Sequence, residues 1–211
     1  MKIIFFDCDS TLTPLEGIDE LARLQGDALF KEVENLTNAA MNGKVPITEV
    51  FGRRLKIIQP GTDTVKKVAQ LVLETVEPTA KATIEALKEN GWTPMIISGG
   101  LTQVIEPLAE FLGISDIHAV DLRFNEDGSY AGFDTDAPPT RNGGKPEIVA
   151  SLRKQLQPEK IVMVGDGISD LEVQSVADQF IGFTRYVARE KVVQEADTCI
   201  TSLDQLVSLL D

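Results

Sequence analysis

Phe5-Phe6-Asp7-Cys8-Asp9-Ser10-Thr11-Leu12-Thr13, preceded by Lys2-Ile3-Ile4, is an apolar strand that runs into two aspartates one residue apart, then into hydroxyls and a turn. In a strand, residues i and i+2 share a face, so its end presents Asp7 and Asp9 to one cleft. One carboxylate can attack while the other moves protons. Two carboxylates this close resist ionising together unless a cation lies between them, which calls for a hard divalent metal such as Mg2+. Asp, Ser and Thr also crowd ordinary polar turns, so this segment alone leaves both readings open.

Working outward, apolar strand-like runs recur at 94–97, 117–120, 161–164, 180–183 and 198–201, with helical patterns between most of them. Thr79 to Asn90 follows Pro78, stops at Gly91 and places Ala80, Ile84 and Leu87 on one side. Val104 to Leu112 ends at Gly113, with Pro107 predicting a kink or a late start. Pro146 to Leu156 opens with proline in its first turn and offers Ile148, Val149 and Leu152 for burial. Such alternation predicts an α/β fold, a doubly wound, mainly parallel Rossmann-like sheet that binds ligands at the carboxyl ends of its strands.

Residues 14–76 interrupt the alternation with four helical segments and no convincing strand. Leu29, Val33, Leu36 and Ala40 keep helical spacing, as do Ile47, Phe51, Leu55 and Ile58. The stretch is expected to form a helical cap inserted in a catalytic core of residues 1–13 and 77–211. A smaller insertion, Asp121 to Phe133, carries Asp127-Gly128 between alternating segments and predicts a β-hairpin.

The composition narrows the partners. With 43% hydrophobic content in 211 residues the chain can bury a sizeable core, and 33 acidic against 20 basic residues leave a net charge of −13. That balance argues against a nucleic-acid surface and for a small-molecule ligand. No apolar run approaches a membrane span, and Met1-Lys2 leads straight into strand-like sequence without a signal peptide, so a cytoplasmic protein is expected. Whether it is a monomer or a homodimer is not readable. Cys8 and Cys199 are expected to be reduced, small core residues. His118, the lone histidine, lies in a strand-like run far from any nucleophile motif and is read as structural.

Chemistry gathers at other strand ends. Ser98-Gly99-Gly100 follows Pro94-Met95-Ile96-Ile97 and precedes a helix, a suitable phosphate cradle and equally an ordinary turn. Lys145, in Asn142-Gly143-Gly144-Lys145-Pro146, stands at a helix start, where a cation is disfavoured unless it serves an anion. Ile161-Val162-Met163-Val164 runs into Gly165-Asp166-Gly167-Ile168-Ser169-Asp170, another acidic strand end. Together these describe a site for a metal-bound phosphate.

The four motifs resemble the haloacid dehalogenase superfamily and, within it, its phosphoserine phosphatase family. The likeness extends to Glu16-Gly17-Ile18-Asp19-Glu20-Leu21-Ala22, Ala40-Met41-Asn42-Gly43, Arg54-Leu55, Tyr130-Ala131-Gly132-Phe133-Asp134 and Phe180-Ile181-Gly182-Phe183. It implies that Asp7 is a nucleophile forming an aspartyl-phosphate, and that Asp9 protonates the leaving alkoxide and then deprotonates water. Mg2+ would be held by Asp7, the backbone carbonyl of Asp9, and Asp166. Ser98, Gly99, Gly100, Lys145 and Ser169 would hold the phosphoryl group, with Ser10, Thr11, Gly167 and Asp170 in support. Glu16 and Arg54 match positions that bind the amino and carboxylate groups of phosphoserine, with Met41 against the substrate stem. A phosphate oxygen about 4 Å from Asp7 meets about 4 kcal/mol of repulsion per charge pair at an effective dielectric near ~20, which metal and Lys145 must cancel.

Some positions depart from the family. Leu101 stands where many relatives have phenylalanine, Ser169 where many have asparagine, Ile47 where an aromatic is common and Asn38 where a basic residue is common. These bear on substrate fit more than on reaction type. A phosphotransferase passing phosphate to an alcohol such as homoserine, and a phosphatase for another small phosphomonoester, remain compatible with the residues. A phosphorylation-switched receiver-like binding module is disfavoured by the Asp7/Asp9 spacing and by the insertion at 14–76.

Overall fold

The computed structural model describes residues 1–210. At its centre lies β1 (Lys2–Phe6), buried on both faces after Lys2. Ile4 and Phe6 point into one hydrophobic layer, Ile3 and Phe5 into the other. A strand covered on both sides needs an unbroken apolar run, which residues 3–6 supply.

The remaining strands are β2 (Trp92–Leu101), β3 (Ile117–Val120), β4 (Leu122–Phe124), β5 (Tyr130–Phe133), β6 (Lys160–Gly165), β7 (Gln179–Phe183) and β8 (Thr198–Ile200). Five of them join β1 in one sheet in the order β3-β2-β1-β6-β7-β8, and the pairs are parallel. From β1 the chain builds outward to β3, then returns and builds outward to β8 on the opposite side. The reversal of direction falls beside β1, where an open α/β sheet leaves a crevice. Phe6 pairs with Ile96 and with Val164, so Asp7, Ser98 and Asp166 arrive within a residue of the same level at the carboxyl edge.

Between β1 and β2 the chain forms α1 (Gly17–Arg23), α2 (Asp27–Met41), α3 (Ile47–Ile58), α4 (Thr62–Glu74) and α5 (Ala80–Glu89). Ile47, Phe51, Leu55 and Ile58 are all buried along one side of α3, whereas Leu29 and Leu36 of α2 are only partly so. The crossings into and out of α1–α4 are tied together: Thr13 Oγ1 lies 3.0 Å from Thr75 Oγ1, and Glu77 N–H donates to the Leu12 carbonyl at 2.7 Å. Downstream come α6 (Thr102–Leu112), α7 (Gly144–Leu156), α8 (Ile168–Leu171), α9 (Glu190–Glu195) and α10 (Gln205–Leu209). Residues of α5, α6 and α10 cover the Ile4/Phe6 face, and residues of α7, α8 and α9 the Ile3/Phe5 face. The antiparallel β4–β5 hairpin sets Phe133 against Phe51 of α3, ring centroids 5.3 Å apart. Among the described residues, no helix is long and apolar enough to cross a membrane.

Three expectations are corrected. Helix α6 starts at Thr102 and runs through Pro107, so of the two effects expected of the proline, a kink or a late start, the late start does not occur. Its missing N–H falls in the second turn, where only one intrahelical bond is lost. Ser98-Gly99-Gly100 continues strand β2 rather than ending it; Ile97 and Leu101 pair with His118 and Val120, so β2 spends two extra residues in a bulge. Cys8 is fully buried, but Cys199 is exposed, because β8 is the edge strand and its outward side is not covered. His118 is half-buried on β3, where desolvation lowers its pKa.

Phe6 is fully buried and Leu24 is 52% exposed. Phe6→Ala is expected to cost about 3–5 kcal/mol of unfolding free energy, and Leu24→Ala less than about 0.5 kcal/mol. Urea denaturation of both variants, with midpoints compared to the parent, measures the difference.

Candidate active site

Where β1 ends, Asp7 N–H still donates to the Val164 carbonyl at 2.9 Å, so the sheet itself fixes the backbone under the carboxylate. Asp7 Oδ1 then accepts from Cys8 N–H at 2.7 Å and lies 3.0 Å from Lys145 Nζ, which sets the rotation of the carboxyl group. Lys145 comes from the first turn of α7 and is 3% exposed. Its ammonium also donates to Asp170 Oδ1 at 2.6 Å. Burial alone would lower its pKa, but Asp170 and Asp7 more than reverse this and hold it above the usual lysine range.

Asp170 is fully buried and accepts Gly167 N–H on its other oxygen at 2.9 Å. Burial, with the Asp7 charge, pushes it up to about 7, and Lys145 pulls in the opposite direction. Asp166 is held well above the usual carboxylate range, chiefly by burial, with Glu16 adding and Arg189 opposing. One oxygen from each of Asp7, Asp166 and Asp170 falls within 4.8 Å of the others, all buried. A concave group of hard oxygen donors whose charges only partly cancel against Lys145 and Arg189 fits a hard cation.

Asp9 turns its carboxylate another way. Its Oδ2 accepts the N–H of Gly17, the first residue of α1, at 3.1 Å. Burial, then Glu16 and Asp7, raise its pKa well above the ordinary value despite that bond. A carboxyl whose pKa is raised in this way suits proton transfer. Ser10 has a left-handed backbone, φ 53°, and donates from Oγ to Glu16 Oε1 at 2.8 Å. Glu16 is raised by burial, and Ser10 and Arg189 draw it back. Thr11 is buried in the turn behind Asp7, with its N–H on the Cys8 carbonyl at 3.2 Å.

Asp7, Asp9, Glu16, Met41, Arg54, Ser98, Gly99, Gly100, Lys145, Asp166 and Ser169 line one cavity between the sheet edge and helices α1–α3. Ser10, Thr11, Gly167 and Asp170 stand behind it. Ser98 Oγ accepts Gly100 N–H at 3.0 Å, so the hydroxyl is held by the bulge that follows it. Pro139, Ile18 and Phe51 also line the cavity and were not foreseen as site residues. Neither was Arg189, which is 5% exposed, donates from Nε to Asp166 Oδ2 at 2.9 Å and places Nη2 3.8 Å from Glu16 Oε1. The sequence signal available was its place after β7, on the edge that carries the other strand-end groups.

The family model of the haloacid dehalogenase-like hydrolases matches residues 1–177. The chain belongs to that family. It is 36% identical over 210 residues to a phosphoserine phosphatase from Bos taurus, covering 99% of this chain and 92% of the relative. Among solved structures, a phosphoserine phosphohydrolase-like protein from Francisella tularensis superposes with a TM-score of 0.90 at 28% identity, over the whole of both chains. A phospho-aspartyl intermediate analogue of a phosphoserine phosphatase superposes with a TM-score of 0.86 at 28% identity, covering 100% of this chain and 99% of that one. This likeness places the chain in the phosphoserine phosphatase branch of the family and makes it a phosphatase.

A Cβ added at Gly165 would overlap the Asp170 carboxyl group. Gly165→Ala is therefore expected to displace Asp170 from Lys145 and to lower kcat/KM for a phosphomonoester at least about tenfold while the fold persists. Steady-state kinetics beside circular dichroism reads both, and unchanged turnover in the folded variant would show that the position of Asp170 is dispensable.

Proposed function

We propose that this phosphatase hydrolyses O-phospho-L-serine to L-serine and phosphate, the last step of serine biosynthesis, using Mg2+ and a covalent intermediate on Asp7. The observation that carries the substrate assignment is the presence of Glu16 and Arg54, of opposite charge, in the same cavity as Asp7 and Lys145. A carboxylate for an ammonium and a planar guanidinium for a carboxylate suit an amino-acid zwitterion. The phosphoserine phosphatases among its relatives support the same choice.

In this reading an Asp7 carboxylate oxygen attacks phosphorus and the bond from phosphorus to the serine oxygen breaks. Asp9, whose buried setting favours the protonated form, gives its proton to the departing alkoxide. Water then attacks the phosphoryl group, Asp9 takes the proton back, and the Asp7–phosphate bond breaks. Lys145, Ser98, Ser169 and the N–H group of Gly99 hold the phosphoryl oxygens through both steps, and Gly100 fixes the Ser98 hydroxyl through its own N–H. Asp7, the Asp9 carbonyl and Asp166 would hold the Mg2+ ion, which when bound supplies positive charge against the phosphoryl oxygens. Asp170 orients Lys145, and Gly167, Ser10 and Thr11 hold the loops that carry these groups. Met41 and the wall of α1–α3 form a cap that excludes water from the first step.

Asp7→Asn or EDTA is expected to reduce phosphate release from phosphoserine by at least about a thousandfold, since one removes the nucleophile and the other the charge that lets an anion approach it. Arg54→Ala is expected to raise KM for phosphoserine roughly tenfold or more with a smaller change in kcat, as loss of a charged hydrogen bond in binding would. A colorimetric phosphate assay over a panel of small phosphomonoesters tests the whole reading; selective turnover of a different ester would overturn the roles of Glu16 and Arg54.

A further inference from the structure

Arg54 is 4% exposed, and its contact with the protein behind the cavity runs through a hydroxyl rather than a carboxylate. Arg54 Nη1 donates to Thr37 Oγ1 at 2.8 Å, and Thr37 Oγ1 donates to Asp19 Oδ1 at 2.5 Å. Asp19 lies in α1, Thr37 in α2 and Arg54 in α3, so this short relay crosses three helices in the middle of their packing. Asp19 is 4% exposed and Thr37 1%. Neither belongs to the machinery assigned above.

Resting on the phosphoserine reading, we propose that Asp19, acting through Thr37, is the positioning residue that aims the Arg54 guanidinium at the substrate carboxylate and so sets selectivity for phosphorylated amino acids. A threonine hydroxyl has a single proton. Once Asp19 accepts it, a lone pair of Thr37 is left for Arg54, and the hydrogen bond fixes one end of the guanidinium. A direct Asp19–Arg54 pair would engage two donors in a fork and largely neutralise the cation. The hydroxyl spacer takes one donor and leaves the others, including Nε, which is buried without a protein acceptor. Arg54 itself lines the cavity, so a carboxylate bound there can meet the free donors. The pairing of Phe51 with Arg54, whose guanidinium carbon lies 5.6 Å from the ring centroid, supports the same side-chain placement from within α3.

The test compares O-phospho-L-serine with O-phosphoethanolamine, which keeps the ammonium and the phosphate and lacks the carboxylate. The parent and Thr37→Val, Thr37→Ser, Asp19→Asn and Arg54→Ala are assayed for kcat and KM, with a thermal melt for each. Thr37→Val is expected to lower the ratio of kcat/KM values, phosphoserine over phosphoethanolamine, at least about tenfold through KM, and Asp19→Asn at least about threefold. Thr37→Ser, which restores the hydroxyl, returns the ratio towards that of the parent. Asp19→Asn preserves volume and carries the test should Thr37→Val fail to fold. A parallel fall for both substrates, or an unchanged ratio in a folded Thr37→Val, overturns the relay while leaving the phosphoserine reading intact if Arg54→Ala still lowers the ratio. A parent that does not prefer phosphoserine, with Arg54→Ala unchanged, overturns the carboxylate role of Arg54 and the relay with it.

Discussion

The ammonium of Lys145 between Asp7 and Asp170 is the contact on which the site depends. Two carboxylates in a low-dielectric setting repel strongly, and a buried cation 3.0 Å from one and 2.6 Å from the other turns that repulsion into a fixed geometry. The arrangement does not neutralise the region. Asp7, Asp9, Asp166 and Asp170 converge on the same edge with Glu16 beside them, and the raised pKa values of Asp9 and Asp166 report the excess of negative charge as well as burial. Such an excess is relieved by taking up protons or by binding a cation, and the chemistry of an acid–base catalyst with a metal requires both.

The sheet explains why these groups meet. β1 and β6 pair in register up to Phe6 and Val164; Asp7 still donates its N–H to Val164 and Asp166 follows Gly165, the last residue of β6, so both carboxylates leave the sheet within a residue of one level. Glycines let the loops close over one another: Gly165 and Gly144 have no room for a Cβ, the first against Asp170 and the second against the Pro138 carbonyl. The approach of α7 to the sheet edge, and with it the position of Lys145, depends on the latter contact.

Much of this was legible in sequence because the signals were local. The apolar run before Asp7, the proline and glycine bounds of α5 and α7, and the Asp127-Gly128 turn each carry their structural cause within a few residues. Lys145 was legible because it sits at a helix start where its charge is unfavourable without a partner. What escaped depends on distant contacts. Arg189 reads as one more loop arginine until the strand order brings the segment after β7 beside Asp166. Asp19 and Thr37 look like ordinary polar positions on two helices, and only the packing of α1 on α2 shows that Thr37 donates a hydrogen bond to Asp19. The bulge at Ser98-Gly99-Gly100 and the exposure of Cys199 likewise follow from which strand lies next to which, a property that periodicity does not contain.

The overall charge of −13 poses a last physical question, since the ligand class is anionic. At physiological salt the field of an exposed surface charge decays over about 8 Å, so the acidic exterior acts on the cavity only through a screened field. Inside the cavity the balance is set by groups that line it: Lys145 and Arg54 are buried cations beside the acidic groups. Interactions within it, in a medium less polarisable than water, outweigh a screened and diffuse repulsion. An acidic exterior therefore restrains nonspecific binding of polyanions without hindering a small phosphate ester that fits between the sheet edge and the helices above it.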